Sequence, residues 1–150
     1  MNMAVAKIDE ASVTTREVIY VDKAPEPLGT YSQGVKVGNM IFLAAQTPVV
    51  PETGEVALGG FEGQVRQTFN NLEAMARGCG GSMADIVQIT VYITDISKFQ
   101  TMNSIMAEYF AKPYPARTTV GAANLARNTL VAIDAILVLD NNHRDLNLAQ

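Results

Sequence analysis

Two periodicities alternate along this chain. From Phe61 onward the apolar residues Phe61, Val65, Phe69, Leu72, Met75 and Ala76 recur at steps of three and four, with Gln, Arg, Asn and Glu between them. That spacing predicts an amphipathic helix, and Gly78, Gly80 and Gly81 supply its stop. In DIVQITVYITD (85–95) the period drops to two. Val87, Ile89, Val91 and Ile93 fall on one face of a strand, and Gln88, Thr90, Tyr92 and Thr94 on the other. Helical spacing returns in SKFQTMNSIMAEYFA (97–111), whose stripe is Phe99, Met102, Met106 and Tyr109 or Phe110. Asp95 or Ser97 caps this second helix, and Pro113 and Pro115 stop it.

The remaining segments read as strands and loops. REVIYVD (16–22) alternates weakly, as a first strand. APEPLGTYSQG (24–34) is a loop with Tyr31 at its centre. GVKVGNMIFLAAQ (34–46) is two short strands joined at Gly38-Asn39, a hairpin turn. PVVPETGEV (48–56) is a second loop that turns at Thr53-Gly54. ARTTVGAAN and LVAIDAILVLD are the last two strands. Residues 1–15 form a loose arm, 16–140 the folded unit and 141–150 a polar tail. Two helices and about six strands predict an α+β domain. The last strand decides more than its own conformation. Val131, Ile133, Leu137 and Leu139 point one way, and Leu130, Ile136 and Val138 the other, so both faces of the sheet need cover. Two helices cover one face. The other requires a second subunit, so an obligate oligomer is expected.

Composition narrows the function classes. The chain has 150 residues, 48% of them hydrophobic and 17% charged, with a net charge of −4 and no Trp. Its 11 Lys and Arg are scattered singly, without the basic stripe of a nucleic-acid binder. No apolar run reaches the length of a membrane helix, and the first 18 residues have no signal-type apolar core. The single cysteine, Cys79, allows no internal disulfide and no cysteine-cluster metal site. It reads as a small buried residue. Together these features lead us to expect a cytoplasmic protein with neither nucleic-acid nor membrane partners. His143, the one histidine, lies in the polar tail and reads as solvated.

The chemistry concentrates at Arg117. It opens a strand behind two prolines, and alternation sets Arg117, Thr119 and Gly121 on one face. A cationic fork, a hydroxyl and a position without a side chain then lie side by side, an arrangement suited to bidentate capture of a carboxylate. A surface or interface salt bridge is the alternative. Arginines 66, 77 and 127 have nothing comparable around them. Asn103 lies near the apolar stripe of the second helix, either as a ligand contact or as an amide bonded to a nearby loop. Tyr31 either meets a ligand or packs its own loop down.

Through these residues the chain resembles the reactive intermediate deaminase (Rid, YjgF-like) family. The resemblance runs from about residue 17 to 140. It is carried by the G-x-Y-x-Q-G loop, the Gly-Asn strand opening at 38–39 and Pro-Ala-Arg at 115–117. It implies a chorismate-mutase-like α+β fold and a homotrimer whose sheets line a central barrel, with ligand clefts between subunits. It also implies hydrolysis of 2-aminoacrylate and 2-iminopropionate to 2-oxo acid and ammonia, without metal or organic cofactor. By this resemblance Arg117 holds the substrate carboxylate, Tyr31 and Asn103 shape the cleft, and backbone groups at Ala44 and Ala45 hold the attacking water.

Two departures qualify the match. Thr119 stands where many members have cysteine, a mild change because a hydroxyl still bonds a ligand or water. Ala132 stands where active members commonly carry glutamate, in V-E-I-E-A against VAIDA here. That carboxylate helps activate water, and general acid–base assistance is worth roughly 10²–10⁴-fold. Asp134, one pair along on the same strand face, is the candidate substitute; its alternative role is a carboxylate paired with a basic neighbour. The expectation is a weak or altered-specificity imine deaminase. A small-carboxylate-binding trimer without turnover and a chaperone-like trimer are the other classes.

Overall fold

A computed structural model describes residues 15–140. The expected arm lies almost wholly, and the expected tail with His143 entirely, outside these residues. The chain builds six strands and two helices. In order they are β1 (Arg16–Ile19), β2 (Gly34–Val37), β3 (Met40–Gln46), α1 (Gly60–Gly78), β4 (Ile86–Ile93), α2 (Phe99–Tyr109), β5 (Ala116–Gly121) and β6 (Val131–Val138). Short 3₁₀ turns at Met83–Asp85, Ile96–Lys98 and Ala126–Asn128 join them. The strands form one sheet in the order β1-β2-β3-β6-β4-β5. β4 and β5 run parallel through the α2 crossover, and every other pair is antiparallel. This is the α+β, six-stranded mixed sheet that the pattern predicts.

Both helices lie on one face. The apolar stripe of α1 is buried throughout, and Val65, Phe69, Leu72, Met75 and Ala76 are fully inaccessible. They meet Ile41, Ile89, Val91, Ile93, Val131, Ile133 and Leu137 from the sheet. Phe69 stacks on Tyr109 with centroids 5.0 Å apart and takes the edge of Phe110 at 6.1 Å, which locks α1 to α2. The hairpin turn is where it was expected, with Gly38 at φ 62°. Gly54 at φ 72° turns the second loop, closed by a bridge between Val49 and Val56. Asp95 caps the short 3₁₀ turn Ile96–Lys98 ahead of α2, accepting from the Ser97 N–H at 3.0 Å, while α2 itself has Lys98 at its N-cap and no side-chain cap. The bonds from Ser97 hold the Asp95 carboxyl below the usual range. Cys79 is half-buried against the core, and burial raises its thiol pKa.

Some details differ from the sequence pattern: β5 ends at Gly121 instead of running on to Asn124. β1 ends at Ile19, so Tyr20–Asp22 leave the sheet before the loop. Val87 is exposed, at 45%, instead of sharing a face with Ile89. Ile86 pairs with Leu137 and Gln88 with the adjacent Ile136, so Val87 is the extra residue of a bulge. Ile86 takes the covered position in its place.

Following the register across the sheet identifies the second face. Val18, Val35, Val37, Met40, Phe42, Ile136 and Val138 share it at one end, and Gln88, Thr90, Tyr92, Ala132, Asp134, Thr118 and Val120 at the other. No described helix covers this face. Val18 is 66% exposed and Phe42 42%.

Candidate functional site

Arg117 is held by α2. Its guanidinium donates to Asn103 Oδ1 at 2.8 Å and approaches Met106 Sδ at 3.4 Å. It lies 5.2 Å from the centroid of the Phe99 ring, over its face. Phe99, Asn103 and Met106 occupy one side of α2 at helical spacing, so a single helix fixes the arginine through its ring, amide and sulfur. Among the described residues no carboxylate lies within ion-pair distance of Arg117. A surface salt bridge is therefore not realised among them, and Asn103 bonds the arginine rather than a loop. A cavity of about 310 Å³ opens beside the pair, lined by Asn103, Met106, Ala107, Tyr114, Pro115 and Arg117.

Thr119 is one pair further along the same face, opposite Val91 as Arg117 is opposite Ile89. Its Oγ1 is the buried side-chain polar atom that has no partner among the described residues. A buried hydroxyl without a hydrogen bond costs about 1–3 kcal/mol, so Thr119 holds binding capacity in reserve beside the arginine.

Tyr31 stands elsewhere in the chain. Its loop is pinned by the buried Gln33, whose Oε1 accepts from the Val21 N–H at 2.6 Å. Gln33 Nε2 donates to the carbonyls of Val21 at 3.0 Å and Pro25 at 2.9 Å. The Tyr31 hydroxyl accepts from the Leu28 N–H at 3.2 Å, leaving the ring about half exposed. This loop, the β3 end at Ala44-Ala45-Gln46, the Thr47–Gly54 loop and Ala126, Arg127 and Thr129 enclose a larger cavity of about 480 Å³. The ladder shifts register between Leu43 and Gln46, so Ala44 and Ala45 leave the regular pairing at the cavity wall. Ala44 is tied to the tyrosine loop by its N–H to the Gln33 carbonyl at 2.9 Å. Asn71 of α1 fixes the next wall by donating to the Thr47 and Val49 carbonyls, each at 2.8 Å.

Asp134 lies on the opposite face of the sheet from Arg117. It pairs in register with Thr90 and Ala132 with Tyr92, so the two do share a face, the one that no described helix covers. Its partner is not a base but the Tyr92 hydroxyl, which donates to Oδ2 at 3.3 Å. The charge of Asp134 raises the Tyr92 phenol pKa. Within one chain the sheet separates Asp134 from Arg117.

The predicted residues thus gather into three groups. Arg117, Asn103 and Thr119 stand together, Tyr31 meets Ala44 and Ala45, and Asp134 stands apart. Sequence reasoning passed over Arg127, which lines the Tyr31 cavity. It lies in a loop without periodicity, and its backbone at φ 59° is a conformation that only a glycine would have announced. Among the described residues no three His, Cys, Asp or Glu side chains cluster as a metal set. No helix among them is long and apolar enough to cross a membrane.

Known proteins resemble this chain over most of its length. The profile of a family described as Endoribonuclease L-PSP matches residues 21–139. A RutC family protein of Pyrococcus abyssi is 42% identical over 121 residues, covering 81% of this chain and 95% of its own. A 2-iminobutanoate/2-iminopropanoate deaminase of Dermatophagoides farinae is 35% identical over 128 residues, 85% of this chain and all of its own length. Among solved structures, Escherichia coli TdcF with bound serine superposes with a TM-score of 0.79 at 35% identity, over 83% of this chain and 99% of that one.

Proposed function

The chain belongs to the Endoribonuclease L-PSP family, that of the reactive intermediate deaminases (Rid, YjgF-like), and from that premise we propose that it hydrolyses 2-imino acids and their enamine tautomers. Arg117 carries the reading: it is a rigidly oriented arginine at a cavity, without a carboxylate partner among the described residues. A substrate carboxylate completes it by taking the guanidinium edge that Asn103 leaves free. Water then adds to C2 of the C=N bond, and the carbinolamine expels ammonia to leave the 2-oxo acid. Thr119 Oγ1, buried and without a partner among the described residues, bonds the substrate or the water next to it.

The working form in this proposal is a homotrimer in which the Arg117 cavity of one subunit faces the Tyr31 cavity of the next. Two observations support it: the site residues divide between two cavities of one chain, and the apolar sheet face is open. The acidic balance and the singly scattered Lys and Arg speak against a nucleic-acid partner. Ala132 in the glutamate position favours slow turnover. It also supports the second reading, a trimer that binds small carboxylates without turning them over.

The test is hydrolysis of freshly generated 2-iminopropionate by the wild type and Arg117→Ala in parallel. Loss of one charge-assisted anchor costs about 1.5–3 kcal/mol, so kcat/KM should fall at least tenfold. Equal rates for the two proteins would remove Arg117 from the reaction. No acceleration by the wild type, with pyruvate still raising its Tm, would leave the binding reading.

A further inference from the structure

We infer that Arg127 is a second carboxylate anchor in the Tyr31 cavity, so that the preferred substrates are 2-imino dicarboxylates of four or five carbons. The inference rests on the deaminase reading above and extends it to the far end of the substrate.

Four observations carry it. First, Arg127 lines the same cavity as Tyr31, Ala44 and Ala45. Second, its guanidinium is underused. One nitrogen donates to the Gly54 carbonyl at 3.1 Å, and among the described residues Arg127 forms no ion pair. By contrast, Arg66 is paired with Glu62 and Glu108, and Arg77 with Glu73. A fork whose one arm is fixed by a carbonyl keeps its other donors oriented for a planar anion.

Third, the backbone is held in an unusual conformation to present this side chain. Arg127 and Asn128 have φ of 59° and 55°, two consecutive non-glycine residues in the left-handed region. Such strain persists where the surroundings fix it, and it gathers at functional sites. Here the Asn128 N–H donates to the Leu125 carbonyl at 3.1 Å, and the buried Thr129 hydroxyl to the Ala126 carbonyl at 2.8 Å. Behind them Gln64 of α1 accepts from the Leu130 N–H at 2.8 Å.

Fourth, the cavity within one chain has room for more than the smallest substrates. About 480 Å³ lies within the roughly 300–1,000 Å³ of small-molecule sites, far more than a three-carbon acid fills. The other charged side chain of the lining, Glu26, accepts a hydrogen bond from the Tyr20 hydroxyl outside it. In the proposed trimer, Arg117 of one subunit takes the carboxylate next to the C=N carbon, and Arg127 of its neighbour takes the distal one. The reaction is unchanged, with water in and ammonia out.

The experiment compares kcat/KM for imines generated in situ from alanine, aspartate and glutamate by amino-acid oxidases, in wild type, Arg127→Met and Arg127→Lys. Wild type should favour a diacid imine. The diacid-to-monoacid ratio should fall about tenfold to hundredfold in Arg127→Met and recover in part in Arg127→Lys. A ratio unmoved by Arg127→Met would overturn the inference and leave the deaminase reading intact. Calorimetric binding of 2-oxoglutarate and pyruvate supplies a readout that needs no turnover. If no imine is hydrolysed, a preference for 2-oxoglutarate that vanishes in Arg127→Met still supports the second anchor, and equal binding sinks it.

Discussion

At the scale of single residues, the proposed slow turnover turns on Ala132, which stands where the family resemblance leads us to expect glutamate. It is buried on the open sheet face, in register with Tyr92, and Asp134 is its neighbour one pair along. Ala132→Glu would put two carboxylates on that face beside the Tyr92 phenol. Like charges that close raise at least one carboxyl pKa, toward the range in which a carboxyl exchanges protons near neutral pH. We expect Ala132→Glu to increase 2-iminopropionate hydrolysis by roughly 10²-fold, the lower end of general acid–base assistance. Steady-state ammonia release would measure it. An unchanged rate in a protein that still requires Arg117 would mean that the cleft makes no use of a carboxylate from this position. The residue scale is also where the sequence was least legible. Arg117 and Thr119 could be grouped because strand alternation is a local rule, whereas Asn103 joined them only through the family resemblance. Asp134 and Arg117 sit on opposite faces, a consequence of strand register rather than of any local motif. Arg127 depends on a loop conformation that its residue types do not announce.

At the scale of elements, α1 starts where the chain turns most tightly. Gly59 and Gly60 have φ of 99° and 64°, and the Gly63 N–H donates to the Gly59 carbonyl at 3.2 Å. A Cβ on Gly63 would lie 2.1 Å from the Leu58 carbonyl oxygen, a backbone atom that moves only if the turn does. Gly63→Ala should therefore destabilise the fold despite its better helix propensity, by about 1–3 kcal/mol, as for other overpacked sites. Thermal unfolding followed by circular dichroism should register a fall of several degrees in Tm. A rise would mean that the turn relaxes freely. The helices themselves could be read from sequence because their stripes are long and strongly periodic. The β4 bulge could not. Val87 fits the alternating pattern and Ile86 does not, yet the pairing with β6 turns Ile86 inward. Likewise β1 stops at Ile19 because its partner β2 is four residues long, a limit set by the neighbouring strand.

At the scale of the whole molecule, the open sheet face and the divided site call for the same explanation. Val18, Met40 and Phe42 are exposed on that face, with Val35, Val37, Ile136 and Val138 half-buried among them. A contiguous apolar surface of this kind marks an interaction site, and the apolar pattern of β6 called for cover on both sides before any register was known. Phe42 tests the connection, because it stands on this face, away from Arg117, and supports little within its own chain. Phe42→Asp should leave the helices and their far-UV signal intact, since a substitution at an exposed position typically changes stability by about 0.5 kcal/mol or less. If the proposed trimer forms through this face, the variant should be monomeric in light scattering where the wild type is trimeric, because an aspartate facing its symmetry copies would be buried without a partner. Imine hydrolysis should vanish with the assembly, although Arg117, Asn103 and Thr119 are untouched. A monomer that still hydrolyses 2-iminopropionate would place the whole reaction within one chain and make the Tyr31 cavity a bystander. A variant that remains trimeric would move the interface off this face.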